Sequence, residues 1–183
     1  RVLASAALLA GLLFAVSARP DVARAAGTMT LRQEVVIPPQ DVRIEDQGGF
    51  DNITLRGGAV NGPDGSPALP VLPVTLRIPA EMAVTGVVAH VLETDALTGR
   101  YRVQHIASIN SDGKPNPAPA QPALVDAAGF YPRETATVAL TGRMRGRTLG
   151  SVIVAPFRYR ESDGHLEVAR RIELEIQLSP DTR

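Results

Sequence analysis

The stretch that most constrains this chain lies near its end. Leu166, Val168, Ile172, Leu174, Ile176 and Leu178 share one parity, while Glu167, Glu173, Glu175 and Gln177 take the other. Side chains on a strand point alternately to opposite faces, so this spacing predicts one long half-buried β-strand. Arg170 falls on the apolar parity beside Arg171, which predicts a bulge or a bend there. Asp163-Gly164, just upstream, is a strong hairpin signal. It would join the long strand to one over Leu149–Tyr159, whose Val152, Ile153 and Val154 make a buried run. Pro156 cannot donate to a ladder, so it marks an edge or a bulge in that strand.

Further strands are expected near Leu31–Ile37, Asp41–Glu45, Asn52–Arg56, Val74–Ile78, Val84–Glu93, Tyr101–Ile109 and Thr135–Leu140. Turn-forming pairs separate them: Gly48-Gly49, Gly57-Gly58, Asn61-Gly62, Asp64-Gly65 and Asp112-Gly113. Many short strands at such spacing predict an all-β fold, an antiparallel sandwich or a jelly-roll-like barrel. One segment differs in kind. Pro115, Pro117, Pro119 and Pro122 crowd the run from Lys114 to Pro122. Such a run is extended and stiff, suited to a surface connection or to lying against another surface.

The first 25 residues read differently. Val2 to Ala18 is uncharged, and 14 of those 17 residues are Ala, Val, Leu or Phe. Ala23 and Ala25 then supply the small residues of a cleavage site, with the cut between Ala25 and Ala26. This is the pattern of a secretory signal peptide, a helix preceding the β domain, whose front is truncated, and the apolar run is short of the ~20 residues of a membrane span. Its removal takes three Arg and one Asp, leaving 16 basic against 18 acidic side chains. The mature product is expected to be bacterial, exported to the periplasm or beyond, soluble, monomeric and free of the membrane. Arg outnumbers Lys 18 to 1, Lys114 being the single lysine, which fits a GC-rich genome.

Catalytic patterns are missing. There is no Cys, so no thiolate metal site, disulfide or cysteine nucleophile. No serine sits in a Gly-x-Ser-x-Gly elbow. His90, His105 and His165 are isolated, without metal-ligand spacing, and the glycines from Gly57 to Gly62 lack phosphate-cradle spacing. No catalytic residue, cofactor or metal is therefore assigned. Arg143, Arg145 and Arg147 would share a face on an extended chain, and Arg158 and Arg160 repeat the pattern. Near-neutral charge argues against nucleic acid, so these read as solvated strand faces paired with carboxylates.

Three blocks resemble a known family: Ser66–Pro79 (SPALPVLPVTLRIP), Phe130–Gly142 (FYPRETATVALTG) and Arg143–Val168 (RMRGRTLGSVIVAPFRYRESDGHLEV). Their order is similar to that in the N-terminal propeptide of gingipain-type cysteine peptidases, secreted bacterial enzymes of the caspase-like clan. The resemblance implies an all-β domain that follows a signal peptide and precedes a catalytic domain in cis, absent from this chain. It also implies a domain that assists folding and keeps a cysteine endopeptidase latent by laying a loop across its cleft. The matching loop runs from about Gln104 to Pro122. Where Arg-specific relatives present an arginine, this chain has Asn110, so Lys114 is the candidate basic side chain, with Asn110, Asp112 and Pro115 beside it. The organisation implied is signal peptide 1–25, N-terminal strands and loops 26–65, and β core 66–180. The competing reading is an autonomous extracytoplasmic β-sandwich module that binds carbohydrate or protein.

Overall fold

The computed structural model describes residues 23–25, 27–79, 81–109, 115–116, 124–144 and 147–180, with side chains left out at a few strand ends. The expected signal helix lies outside these residues, as do Ala26, Asn110, Asp112, Lys114 and Arg145. The strands are β1 (Ala23–Ala25), β2 (Thr28–Val36), β3 (Val42–Gln47), β4 (Phe50–Leu55), β5 (Ala59–Val60), β6 (Pro70–Ile78) and β7 (Met82–Leu97). There follow β8 (Ser108–Ile109), β9 (Pro115–Asn116), β10 (Phe130–Tyr131), β11 (Ala136–Met144), β12 (Arg147–Val154), β13 (Phe157–Arg160) and β14 (His165–Pro180).

The alternating segment forms β14, and everything else is arranged around it. Leu166, Val168, Ile172, Leu174 and Ile176 are fully buried. On the other parity, Glu173 and Glu175 reach Arg32 of β2, and Arg171 pairs with Glu34. β7 runs antiparallel along the whole of one edge, from Leu166 opposite Leu97 to Pro180 opposite Met82. The other edge changes partner partway: β13 pairs with residues 165–168, β2 with residues 171–178. The expected bulge sits at that changeover. β14 carries an extra residue at Arg170, and β7 offsets it with one at Leu92, so the apolar parity of β14 survives. The Ala169 amide donates to Pro156 O at 2.7 Å, and Arg170 O accepts from the Ile37 amide at 2.8 Å. The Arg170 guanidinium, largely covered, donates to Asp95 at 2.7 Å.

A second antiparallel sheet, in the order β11-β12-β6-β5, shares the same core, to which it brings Leu76, Ile78, Val152 and Val154. Ile53 and Leu55 of the β3–β4 hairpin join them, as do Val35 and Ile37. Of the two expected architectures the open sandwich is the one found, because neither sheet closes into a ring.

Two expected strands need correction. Leu149–Tyr159 is not one strand: β12 ends at Val154 and β13 begins at Phe157, in the other sheet. Pro156 has no amide to continue a ladder, and the chain crosses between the layers there, with the Ala155 amide bonded to Thr135 O at 2.8 Å. Tyr101–Ile109 is not a strand either. It is an extended strap with one bridge, His105 opposite Pro67, and ends in the two residues of β8. The basic run from Arg143 to Arg147 does not lie on one extended strand: Arg143 and Arg147 are on opposite arms of the β11–β12 hairpin, opposite Thr148 and Met144.

Candidate functional site

The strap from Tyr101 to Ile106 leads directly into β8. Its backbone polar groups find partners one at a time rather than in a ladder. At its start the Tyr101 amide donates to Gly164 O at 2.9 Å, and Tyr101 O accepts from the Tyr159 hydroxyl at 2.9 Å. Burial pushes the Tyr159 phenol up from its ordinary range, so it stays a donor there. Gly164 is required on two counts. Its φ is +69°, and a Cβ there would lie 2.8 Å from Tyr101 O and 3.0 Å from Tyr101 N. The turn carrying Gly164 is itself held by Arg160, whose Nε and Nη2 donate to Asp163. That fork holds the Asp163 carboxyl at about 2, well below the usual carboxylate range.

Farther along, Arg102 exchanges two bonds with Asp51 at the start of β4. The Arg102 amide donates to Asp51 Oδ2 at 2.7 Å, and the Asp51 amide donates to Arg102 O at 2.8 Å. The far end of the strap lies on a tight loop. Gly65 N donates to Ile106 O at 2.8 Å, Ile106 N to Ser66 O at 2.8 Å and Ala68 N to Gln104 O at 2.7 Å. His105 Nε2 lies 3.5 Å from a Glu161 carboxylate oxygen. A buried Val103 side chain pins the middle.

Beyond the strap, Ser108 pairs with Asn116 and Ile109 with Pro115. The structure therefore places Pro115 in β9, while the sequence positions enclosed between the two strands, Asn110, Asp112 and Lys114 among them, lie outside the described residues. Ala25 ends β1, opposite Thr28. Among the described residues no group of three or more metal-ligating side chains comes together.

The second arginine pair sits elsewhere, on the β10–β13–β14 part of the larger sheet. Arg158 and Arg160 place their guanidinium groups 4.6 and 4.7 Å from the centre of the Phe130 ring, and the His165 ring stands edge-to-face with it, the two ring centres 5.8 Å apart. Arg158 bonds to Asp126 and lies 3.6 Å from Glu167. Asp126 also accepts from the amides of Phe130 and Ala128, and the Phe130 bond is the main reason its carboxyl is held below the ordinary range. These cations are carboxylate-paired, as the strand-face reading expects, and the cluster ties β10 to the sheet.

Sequence reasoning picks out the loop but misses what carries it: Asp51, Gly62, Ser66, Tyr159 and Gly164 in its structural role. The signal available was the density of turn pairs between Asn61 and Gly65 together with Asp163-Gly164. Each reads as a connection until the strap is seen to rest on both.

The family Propeptide_C25 matches residues 24–182. Among solved structures, the complex of the pro- and mature domains of RgpB from Porphyromonas gingivalis is similar at 17% identity. That match covers 90% of this chain and 86% of that one, with a TM-score of 0.57. A structure describing the zymogenic latency of gingipain K from the same organism is similar at 18% identity, covering 92% of this chain and 96% of that one, with a TM-score of 0.54. No curated protein matches the chain. The two structures support the fold, and the family match spans both sheets and the strap. The chain belongs to the Propeptide_C25 family, and its fold is that of the two gingipain pro-domain structures.

Proposed function

We propose that this propeptide keeps a gingipain-type cysteine peptidase latent by laying the hairpin that starts at Ser108 across the active-site cleft, with Lys114 as the basic side chain that enters it. Asn110, Asp112 and Pro115 flank Lys114 in this reading. The peptidase domain is the partner in cis, encoded after this chain, and it supplies the cysteine that the propeptide lacks. Residues 1–25 act as the export signal, cut between Ala25 and Ala26, so β1 leaves with it and β2 becomes a sheet edge. The mature product is exported, monomeric, and assists the folding of its peptidase.

The observation that carries this reading is the fixing of the strap at both ends immediately before β8. A loop that must fill a cleft loses less conformational entropy on docking if its base is already held, and it needs no catalytic group of its own. The test uses the peptidase domain encoded downstream. Lys114→Ala should raise the inhibition constant at least tenfold while leaving the thermal midpoint of the propeptide in place. An unchanged inhibition constant would remove Lys114 from the cleft. A gene that continues past Arg183 without a His and a Cys placed as a dyad would count against the partner itself.

A further inference from the structure

Gly62 packs more closely than any turn requirement demands. A Cβ there would lie 2.8 Å from Ser66 Oγ, 2.8 Å from the Tyr131 hydroxyl and 3.2 Å from Ile106 Cδ1. None of these three can retreat freely. Ser66 is 3% exposed, and its hydroxyl donates to Pro63 O at 2.6 Å. Tyr131 is buried in β10, where its backbone pairs with Tyr159. Ile106 is bonded to both Ser66 O and the Gly65 amide. The loop that does this holding is a tight turn, closed by Ser66 N donating to Pro63 O at 3.1 Å, with Gly65 at φ +79°.

From these contacts we infer that Gly62 and Ser66 are positioning residues for latency: they set where Ile106 lies, and through it the direction in which the β8–β9 pair leaves the domain. The inference rests on the proposed inhibitory role of that pair. Ile106 is the last residue the Ser66 loop grips before β8 begins at Ser108. A methyl at position 62 displaces the Ser66 loop, the Tyr131 hydroxyl or Ile106, and a move of the Ser66 loop or of Ile106 tilts the hairpin base. A loop entering a cleft is sensitive to such a shift, because a displacement of about 1 Å away from the productive geometry can cost on the order of a hundredfold. Gly62 thus acts on inhibition without touching the peptidase.

The test compares two glycines with the downstream peptidase domain as probe. Gly62→Ala should raise the inhibition constant at least tenfold and speed cleavage of the propeptide between Ser108 and Asn116, since a misplaced inhibitory loop becomes a substrate. Gly150→Ala is the matched control: its methyl would meet Val84 Cγ2 at 2.6 Å inside the sandwich, away from the strap. It should lower the thermal midpoint at least as far and leave the inhibition constant within twofold. Ser66→Ala removes the Pro63 bond without adding atoms and serves if Gly62→Ala does not fold; a rise of about threefold to tenfold is expected. Inhibition that tracks the thermal midpoint alike in all variants, or that never changes, overturns the positioning role. Deleting residues 110–114 separates the two levels. If the deletion weakens inhibition and Gly62→Ala does not, only the positioning role falls. If the deletion leaves inhibition intact, the inhibitory-hairpin reading falls and the positioning role with it.

Discussion

β14 and the strap from Tyr101 to Ile106 are both extended backbone, and both are essential to the arrangement of the domain, yet they are held in opposite ways. β14 has a ladder along each edge and six apolar side chains buried on one parity. The strap has a single bridge and borrows its remaining bonds from Asp51, Tyr159, Gly164 and the loop around Ser66. A ladder spreads its stabilisation over many equivalent bonds, so losing one is absorbed. A strap concentrates its position in a few groups, each of which can be removed separately. The difference assigns stability to one region and the placing of the hairpin to the other.

The largest expected effect falls on the ladder side. Leu174→Ala empties a fully buried position of β14 and should cost about 2–5 kcal/mol, read as a lower urea midpoint with an unchanged slope. Inhibition by the fraction that remains folded should be unaltered. Gly164→Ala acts at the point where the two regions meet. It forces a residue with a Cβ to φ +69° and drives that Cβ against Tyr101. The backbone term alone is about 1–2 kcal/mol. Exchange of the Tyr101 amide should accelerate beyond what the fall in global stability accounts for. Tyr159→Phe removes one bond from the strap and leaves Tyr101 O without its donor. A loss of about 1 kcal/mol is expected, with a larger proportional effect on inhibition than Leu174→Ala.

The smallest effect is electrostatic. Asp163 and Asp126 both bind protons more weakly folded than unfolded, since their carboxyl groups are held below the ordinary aspartate range, that of Asp163 at about 2. The stabilisation from each is therefore complete above about pH 4. It drains away as the pH falls, for Asp163 toward pH 2, because the unfolded chain takes up the protons first. Asp163→Asn should flatten that part of the curve of stability against pH, and it should loosen the Gly164 turn that receives Tyr101.

These contrasts also explain what could be read in advance. β14, its bulge at Arg170 and the hairpin at Asp163-Gly164 are legible because burial on one face writes a period of two into the residues. The division of Leu149–Tyr159 is not, although Pro156 announces an interruption. Whether a proline ends a strand, bulges it or carries the chain to another sheet depends on what lies in the opposite layer. Tyr101–Ile109 reads as a strand because Tyr101, Val103 and His105 alternate with polar residues. That alternation arises from a half-buried path over the surface, with Val103 inward, and local pattern holds no record of whether a neighbouring strand is present. The positions that hold the strap come from three distant stretches, around Asp51, Gly62–Ser66 and Tyr159–Gly164, which only the folded chain brings together.

The most direct measurement is hydrogen exchange of the propeptide, free and bound to the peptidase domain. If the strap presents the hairpin to the cleft, amides between Gln104 and Asn116 should slow by at least tenfold on binding, while those of β14 and β2 keep the rates they have in the free domain. New protection confined to another surface, such as the exposed stretch of β7 from His90 to Ala96, with Gln104–Asn116 unchanged, would contradict the account.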